Sequence, residues 1–213
     1  MTETQAVRWQ RRKEVRPGEI LDAALALFVE KGYSATKIDD IARTAGVTKG
    51  TPYLYFPSKA DILKAVVREK LLERVADMEN LSRAHPGTPA ALIRLLLLKW
   101  WDEVGATPLS GLCKLMVAEA ANFPELARFY HDEVIIRSRA IALRLVQQGM
   151  DSGEFAQGDA EAAVDALLAP LLMTMIWRHS FACIPGCETY RGDPKLRLQA
   201  AIELVLAGLA RPE

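Results

Sequence analysis

Cysteine is scarce in this sequence. Cys113, Cys183 and Cys187 are too few and too scattered for a secreted disulfide framework, which points to a reducing compartment. An excess of one charge is also lacking. Lys plus Arg and Asp plus Glu each total 27, so the whole chain has no bias toward nucleic acid, membrane surfaces or acidic substrates. Long apolar runs are missing as well. The longest uncharged run in the C-terminal half, residues 166–177, contains Pro170 and falls short of the roughly 20 residues that span a bilayer. The N-terminus is polar and basic, unlike a secretory signal. Together these absences predict a soluble, cytoplasmic chain with no membrane partner.

Other absences bear on enzyme chemistry. A di-iron helical bundle places a Glu three residues before a His on a helix, but Ser82, Arg128 and Ile176 stand three residues before His85, His131 and His179. No phosphate-binding glycine loop follows a strand, and no nucleophile elbow is present. His179, Cys183 and Cys187 recur every four residues, but Pro185-Gly186 interrupts any helix that would gather them and a fourth ligand is missing, so no metal is assigned. The expectation is a non-enzyme without a cofactor.

What the chain does have is apolar residues, half of the total, arranged with helical spacing and without any strand pattern or repeat. An all-α fold follows. Its charge is also unevenly placed: residues 1–60 hold ten basic and seven acidic side chains, so the N-terminal part is where a phosphate backbone would dock. Residues 1–16 carry Arg8, Arg11, Arg12, Lys13 and Arg16 and read either as a frayed terminus or as a basic arm on DNA. From Pro17, a residue suited to a first helical turn, Ile20, Ala24, Leu27 and Phe28 mark a helix that Gly32 closes. Thr36 with Asp39 has the spacing of a capping box before Ile38, Ile41, Ala42 and Ala45. Gly46 breaks that helix, Val47 plugs the turn, and a very short third helix ends before Pro57. Ser58 with Asp61 repeats the cap and opens a long helix. Further helices are predicted from Thr88-Pro89 through Trp101, and over residues 109–121, 124–148, 159–181 and 194–209.

Three short helices with a glycine turn between the second and third fit a helix-turn-helix, whose third helix enters the major groove. Residues 48–59 sharpen this reading, because hydroxyls, two lysines and two tyrosines crowd into one or two turns, all able to donate to phosphates or base edges. Gly50 adds no side chain to hold the backbone off a duplex. Tyr53 and Phe56 also suit core packing. Pro52 would cost about 3 kcal/mol deep in a helix but little in its first turn, so the recognition helix is predicted to start late.

Leu27-Phe28, Gly32-Tyr33, residues 38–42, Ala45-Gly46-Val47, Lys49-Gly50-Thr51, Tyr53-Leu54-Tyr55-Phe56 and Ser58-Lys59 together make a pattern that resembles the tetracycline-repressor (TetR) family of bacterial regulators. Glu119-Ala120 through Phe123-Pro124-Glu125-Leu126 is similar to a regulatory-domain subgroup of that family. The resemblance implies a homodimer whose paired third helices read a near-palindromic double-stranded operator, with a small-molecule effector releasing it, most simply as a repressor. Matched by motif position, Lys49, Gly50 and Tyr53 would lie nearest base edges, and Thr36, Thr51, Tyr55 and Lys59 would hold phosphates. Lys37 and Thr48 are added as starts of their helices, where free N–H groups favour anions.

The division expected is a basic arm at 1–16, a helix-turn-helix domain at 17–60 and a helical effector-binding and dimerisation domain at 61–213. Residues 167–177 are apolar on every side and need cover from a partner subunit as well as from their own chain. Leu198, Ile202, Val205 and Leu209 follow bundle-seam spacing, which places the dimer on the last two helices. Trp100, Trp101, Met116, Tyr130, Met173 and Trp177 suit the lining of an apolar or aromatic effector pocket, and equally a plain core. The alternative is a helical ligand-binding protein without DNA-binding activity, which would not need Lys49, Tyr53, Tyr55 and Lys59 together.

Overall fold

The computed structural model describes residues 3–187 and 192–211, with side chains from Pro17 onward. Among them the regular structure is helical, apart from one isolated bridge between Phe155 and Ala210. The first helix, α1 (Glu3–Lys31), starts well before Pro17, which lies inside it. The expectation of a start at Pro17 took proline's preference for a first turn as a boundary. Proline's fixed φ is itself helical, and inside the helix it removes one N–H bond. The backbone of residues 3–16 is therefore helical, while the arginines expected there as an arm have side chains outside the described residues.

Gly32 ends α1 in the left-handed conformation at φ +85, which an L side chain would resist. After it comes α2 (Ile38–Thr44), and Gly46, at φ +66, turns the chain into a short 3₁₀ turn at Pro52–Leu54. Thr51 occupies the N-cap position and Pro52 the first turn, where its missing N–H costs little, as the late start requires. A capping box at Thr36 does not form. Lys37 is the N-cap residue of α2, without a side-chain bond, and the Thr36 hydroxyl instead donates to the carbonyls of Gly32 (2.7 Å) and Leu27 (3.2 Å), closing the end of α1.

The second predicted cap does form. Ser58 Oγ accepts from the Asp61 N–H at the start of α3 (Lys59–Val67) and donates to the Asp61 carboxylate at 2.7 Å. A π-helical segment, Arg68–Leu72, joins α3 to α4 (Glu73–Ala84). Then follow α5 (Pro89–Trp100), α6 (Ser110–Glu119), α7 (Pro124–Tyr130), α8 (Ile136–Ser152), α9 (Ala160–Arg178) and α10 (Pro194–Leu209). Two more π segments, Trp101–Gly105 and His131–Ile135, extend α5 and join α7 to α8. The single helix expected over 124–148 is thus interrupted by a π segment and runs on to Gly153, at φ +77.

Burial follows the helical spacing. Ile20, Ala24 and Phe28 of α1 are fully buried with Ile41 of α2 and Ile62 and Val66 of α3, forming the core of the head. Each large side chain buried there contributes about 1.5–3 kcal/mol. Behind it, α9 packs against α6, α8 and α10, and α5 against α8 and α10. By length and composition α9 could cross a membrane, the one such helix among the described residues; here Leu167, Leu171 and Met175 place one face of it in the core.

Candidate nucleic-acid interface and body cavity

The residues expected at DNA separate into two sets. Lys37, Thr48, Lys49, Gly50 and Tyr53 are exposed, and a β-carbon on Gly50 would meet nothing within 4 Å. Lys49 and Asp39 are joined by a 2.8 Å ion pair that ties the turn to the start of α2 and raises the lysine pKa through the hydrogen bond first and the charge second. Thr48 Oγ1 shares a 2.8 Å hydrogen bond with Thr51 Oγ1. Tyr55 is half-buried, its ring tilted against Phe56 at 6.4 Å.

Thr36, Thr51 and Lys59 face the other way. Thr36 and Thr51 are buried, and the Lys59 ammonium donates to the carbonyls of Tyr33 (2.7 Å), Ser34 (3.2 Å) and Thr36 (2.8 Å) while sitting 4.4 Å from the centre of the Tyr33 ring. Burial lowers its pKa, against the opposing pull of Glu119. The loop after α1 ends in carbonyls without helical partners, and a cation on the first turn of α3 satisfies three of them. In this structure the side chains expected at phosphates from these three residues are engaged within the chain instead. Sequence reading also missed Leu54, 80% exposed beside Tyr53. Three residues per turn in the 3₁₀ segment bury Pro52 and leave the two that follow outside, a consequence of the late start that was available from Pro52 itself.

In the body, a cavity of about 450 Å³ lies among α4 to α9, within the ordinary size range of small-molecule sites. All three π segments border it, through Leu71, Val104 and Val134. A π turn adds a residue to the helical repeat and breaks the regular interlocking of neighbouring helices, a common device at binding sites. Of the six residues expected to line a pocket, Trp100, Met116 and Tyr130 do. Trp101, Met173 and Trp177 do not. Trp101 is covered because its indole lies on Gly105, where a β-carbon would come within 2.4 Å of the ring. Met173 is 54% exposed on the outer face of α9, and Trp177 packs on Phe181 at 4.7 Å. His179 bonds Ser110 at 2.8 Å and Cys183 donates to the Ser180 carbonyl; no group of three or more metal-ligating side chains occurs among the described residues.

Comparison with known proteins agrees with this geometry. The family model described as "Bacterial regulatory proteins, tetR family" matches residues 20–66, and that described as "Tetracyclin repressor-like, C-terminal domain" matches residues 87–182. Over 70 residues the chain is 42% identical to the fatty acid metabolism regulator protein of Bacillus subtilis (strain 168), a match that covers 32% of this chain and 36% of that protein's length. Over 204 residues it is 29% identical to the HTH-type transcriptional repressor KstR of Rhodococcus jostii (strain RHA1), covering 93% of this chain and 86% of that one. The solved structure of the transcriptional regulator FadR from Bacillus subtilis in complex with stearoyl-CoA superposes with a TM-score of 0.73 at 25% identity, covering 90% of this chain and 98% of that chain. With its head and most of its body matched by models of one family, the chain belongs to the TetR family of bacterial regulatory proteins.

Proposed function

We propose that the chain is a sequence-specific DNA-binding repressor, released from a near-palindromic operator by a small apolar effector. Residues 17–60 serve as the DNA-reading head and residues 61–213 as the effector-binding and dimerising body. The observation that carries this reading is the one-sided exposure of the turn. Lys37, Thr48, Lys49, Gly50, Tyr53 and Leu54 are outside, while Thr36, Thr51 and Pro52 beneath them are buried. That edge offers two cations, a hydroxyl and a phenol over a buried base, which base-edge readout needs. Lys49 exchanges Asp39 for DNA when the complex forms.

Two copies are needed to read two half-sites about one helical turn apart. Ala162, Ala166, Ala169, Leu172 and Met173 of α9 are exposed, as are Ala200 and Leu204 of α10. Small and apolar on one face, they suit a close two-fold helix pairing. Leu198 and Ile202, expected in that seam, pack inside their own chain, so the seam shifts to the neighbouring face of α10.

The test is fluorescence anisotropy on duplexes from the DNA upstream of the protein's own gene. Log affinity should fall with log salt at a slope of about −0.9 per phosphate neutralised. Lys49→Ala and Tyr53→Ala should each cost about 1–3 kcal/mol at particular base pairs. Loss that is equal on every sequence would remove both residues from base contact.

A further inference from the structure

Besides Trp100, whose indole carries an N–H and which is only partly covered, six lining residues of the body cavity carry polar side-chain atoms: Ser110, Cys113, Tyr130, His131, Ser138 and Arg139. Most are already engaged or wet. Ser110 donates to the Thr107 carbonyl at 2.8 Å and pairs with His179. Arg139, the one arginine or lysine on the lining, is held by Asp165 and, at 2.6 Å, by Glu161. His131 is exposed and bonds Asp132 at 2.7 Å, and Ser138 is only partly covered. Burial pushes the Cys113 thiol up to about 11, so it stays protonated, a weak donor and no anion.

Tyr130 differs from all of these. It is nine-tenths buried, it lines the cavity, and its hydroxyl makes no hydrogen bond to any described residue. Its oxygen is not one of the fully enclosed polar atoms without a partner, so it keeps access to the hollow, where a ligand oxygen can meet the phenol. Burial, with the nearby Cys113 second, raises its pKa well above the ordinary value, so it remains a neutral donor.

From this we infer that the effector is an uncharged hydrophobe carrying one acceptor oxygen, a ketone, ester or aldehyde carbonyl, which accepts a hydrogen bond from the Tyr130 hydroxyl inside the cavity. The inference rests on the effector-released reading above and names the chemistry of its ligand. An anionic head is disfavoured in the same place. The lone guanidinium on the lining already faces two carboxylates, and a third carboxylate in the apolar interior would be desolvated without a free cation to meet it. A cationic head has no carboxylate inside the cavity, because the acids lie at Arg139 and His131 on its margin.

The experiment uses the purified full chain and displacement of a neutral solvatochromic dye by three probes of one chain length, a twelve-carbon methyl ketone, the matching alkane and the matching carboxylate. The ketone should bind about threefold to tenfold more tightly than the alkane, the worth of one net hydrogen bond. The carboxylate, at a pH where it is ionised, should bind weaker than the ketone by at least about tenfold. Tyr130→Phe should bring the ketone down to the alkane's affinity and leave the alkane unchanged; a melting curve checks that the variant is folded. Carboxylate binding as tight as the ketone's overturns the proposal, as does equal weakening of ketone and alkane in the variant. Operator binding is measured on the same preparation. If DNA binding is absent while the ketone preference persists, the regulator reading fails and the ligand assignment stands. If DNA binding is present while no probe enters, the ligand assignment fails alone.

Discussion

At the scale of single residues, Lys59 shows how context redirects a charged side chain. By position it was matched to a phosphate contact, yet its three donors meet the carbonyls of Tyr33, Ser34 and Thr36, and its charge lies against the Tyr33 ring. Lys59→Met should therefore lower stability by about 2 kcal/mol, as expected for charged hydrogen bonds left unmade. The salt slope of operator binding should stay the same. A slope reduced by about one unit with unchanged melting would return Lys59 to the phosphates. Lys49 illustrates the opposite case. It stays exposed on the glycine turn, paired only with Asp39 at the start of α2, so its side chain is free to meet a base edge if the Lys49→Ala experiment finds it there.

Among the elements, those with local causes were the ones legible beforehand. Ser58 starts α3 through a bond to the Asp61 N–H, an interaction contained within four residues. Ser58→Ala should cost about 1 kcal/mol, measured by denaturant unfolding, and a change under a few tenths would show the cap to be idle. Pro52 likewise announced a late, short recognition element, since a proline's tolerance for the first helical turn is a property of its own ring. The start of α1 was misplaced by the same rule, applied where the chain continued as helix through the proline. The three π segments left no mark in the apolar spacing, because whether a turn widens depends on what the neighbouring helices press against.

Across the fold, one helix both lines the cavity and braces the head. Cys113 and Met116 of α6 line the cavity, and the same helix ends at Glu119, whose carboxylate accepts from the Ser34 N–H at 3.1 Å in the loop that Lys59 caps. Beside it, Phe123 meets Tyr33 edge to face at 4.7 Å. Near the start of α6, Gly111 lets α1 approach so closely that a β-carbon there would lie 2.5 Å from a Val29 methyl. Head and body are thus fastened at both ends of α6. Glu119→Ala should speed hydrogen exchange at the Ser34 amide severalfold and leave the core of α9 protected, because only the local tie is cut. Exchange at Ser34 that does not change would mean the tie carries no load between the two parts.

The all-helical class, most helix positions, the glycine turns, the Ser58 cap and the crowding of donors at residues 48–59 were legible in the residues alone. All of these follow from spacing and residue type within a few positions. Which donors face outward, which aromatics border a hollow and which fill the core, and the unpartnered hydroxyl that Tyr130 brings to the cavity, follow instead from packing between helices. The reason is physical: inward and outward are defined by elements far apart in the chain. Ser34 and Glu119 are separated by 85 positions, and no periodicity within either helix carries that pairing.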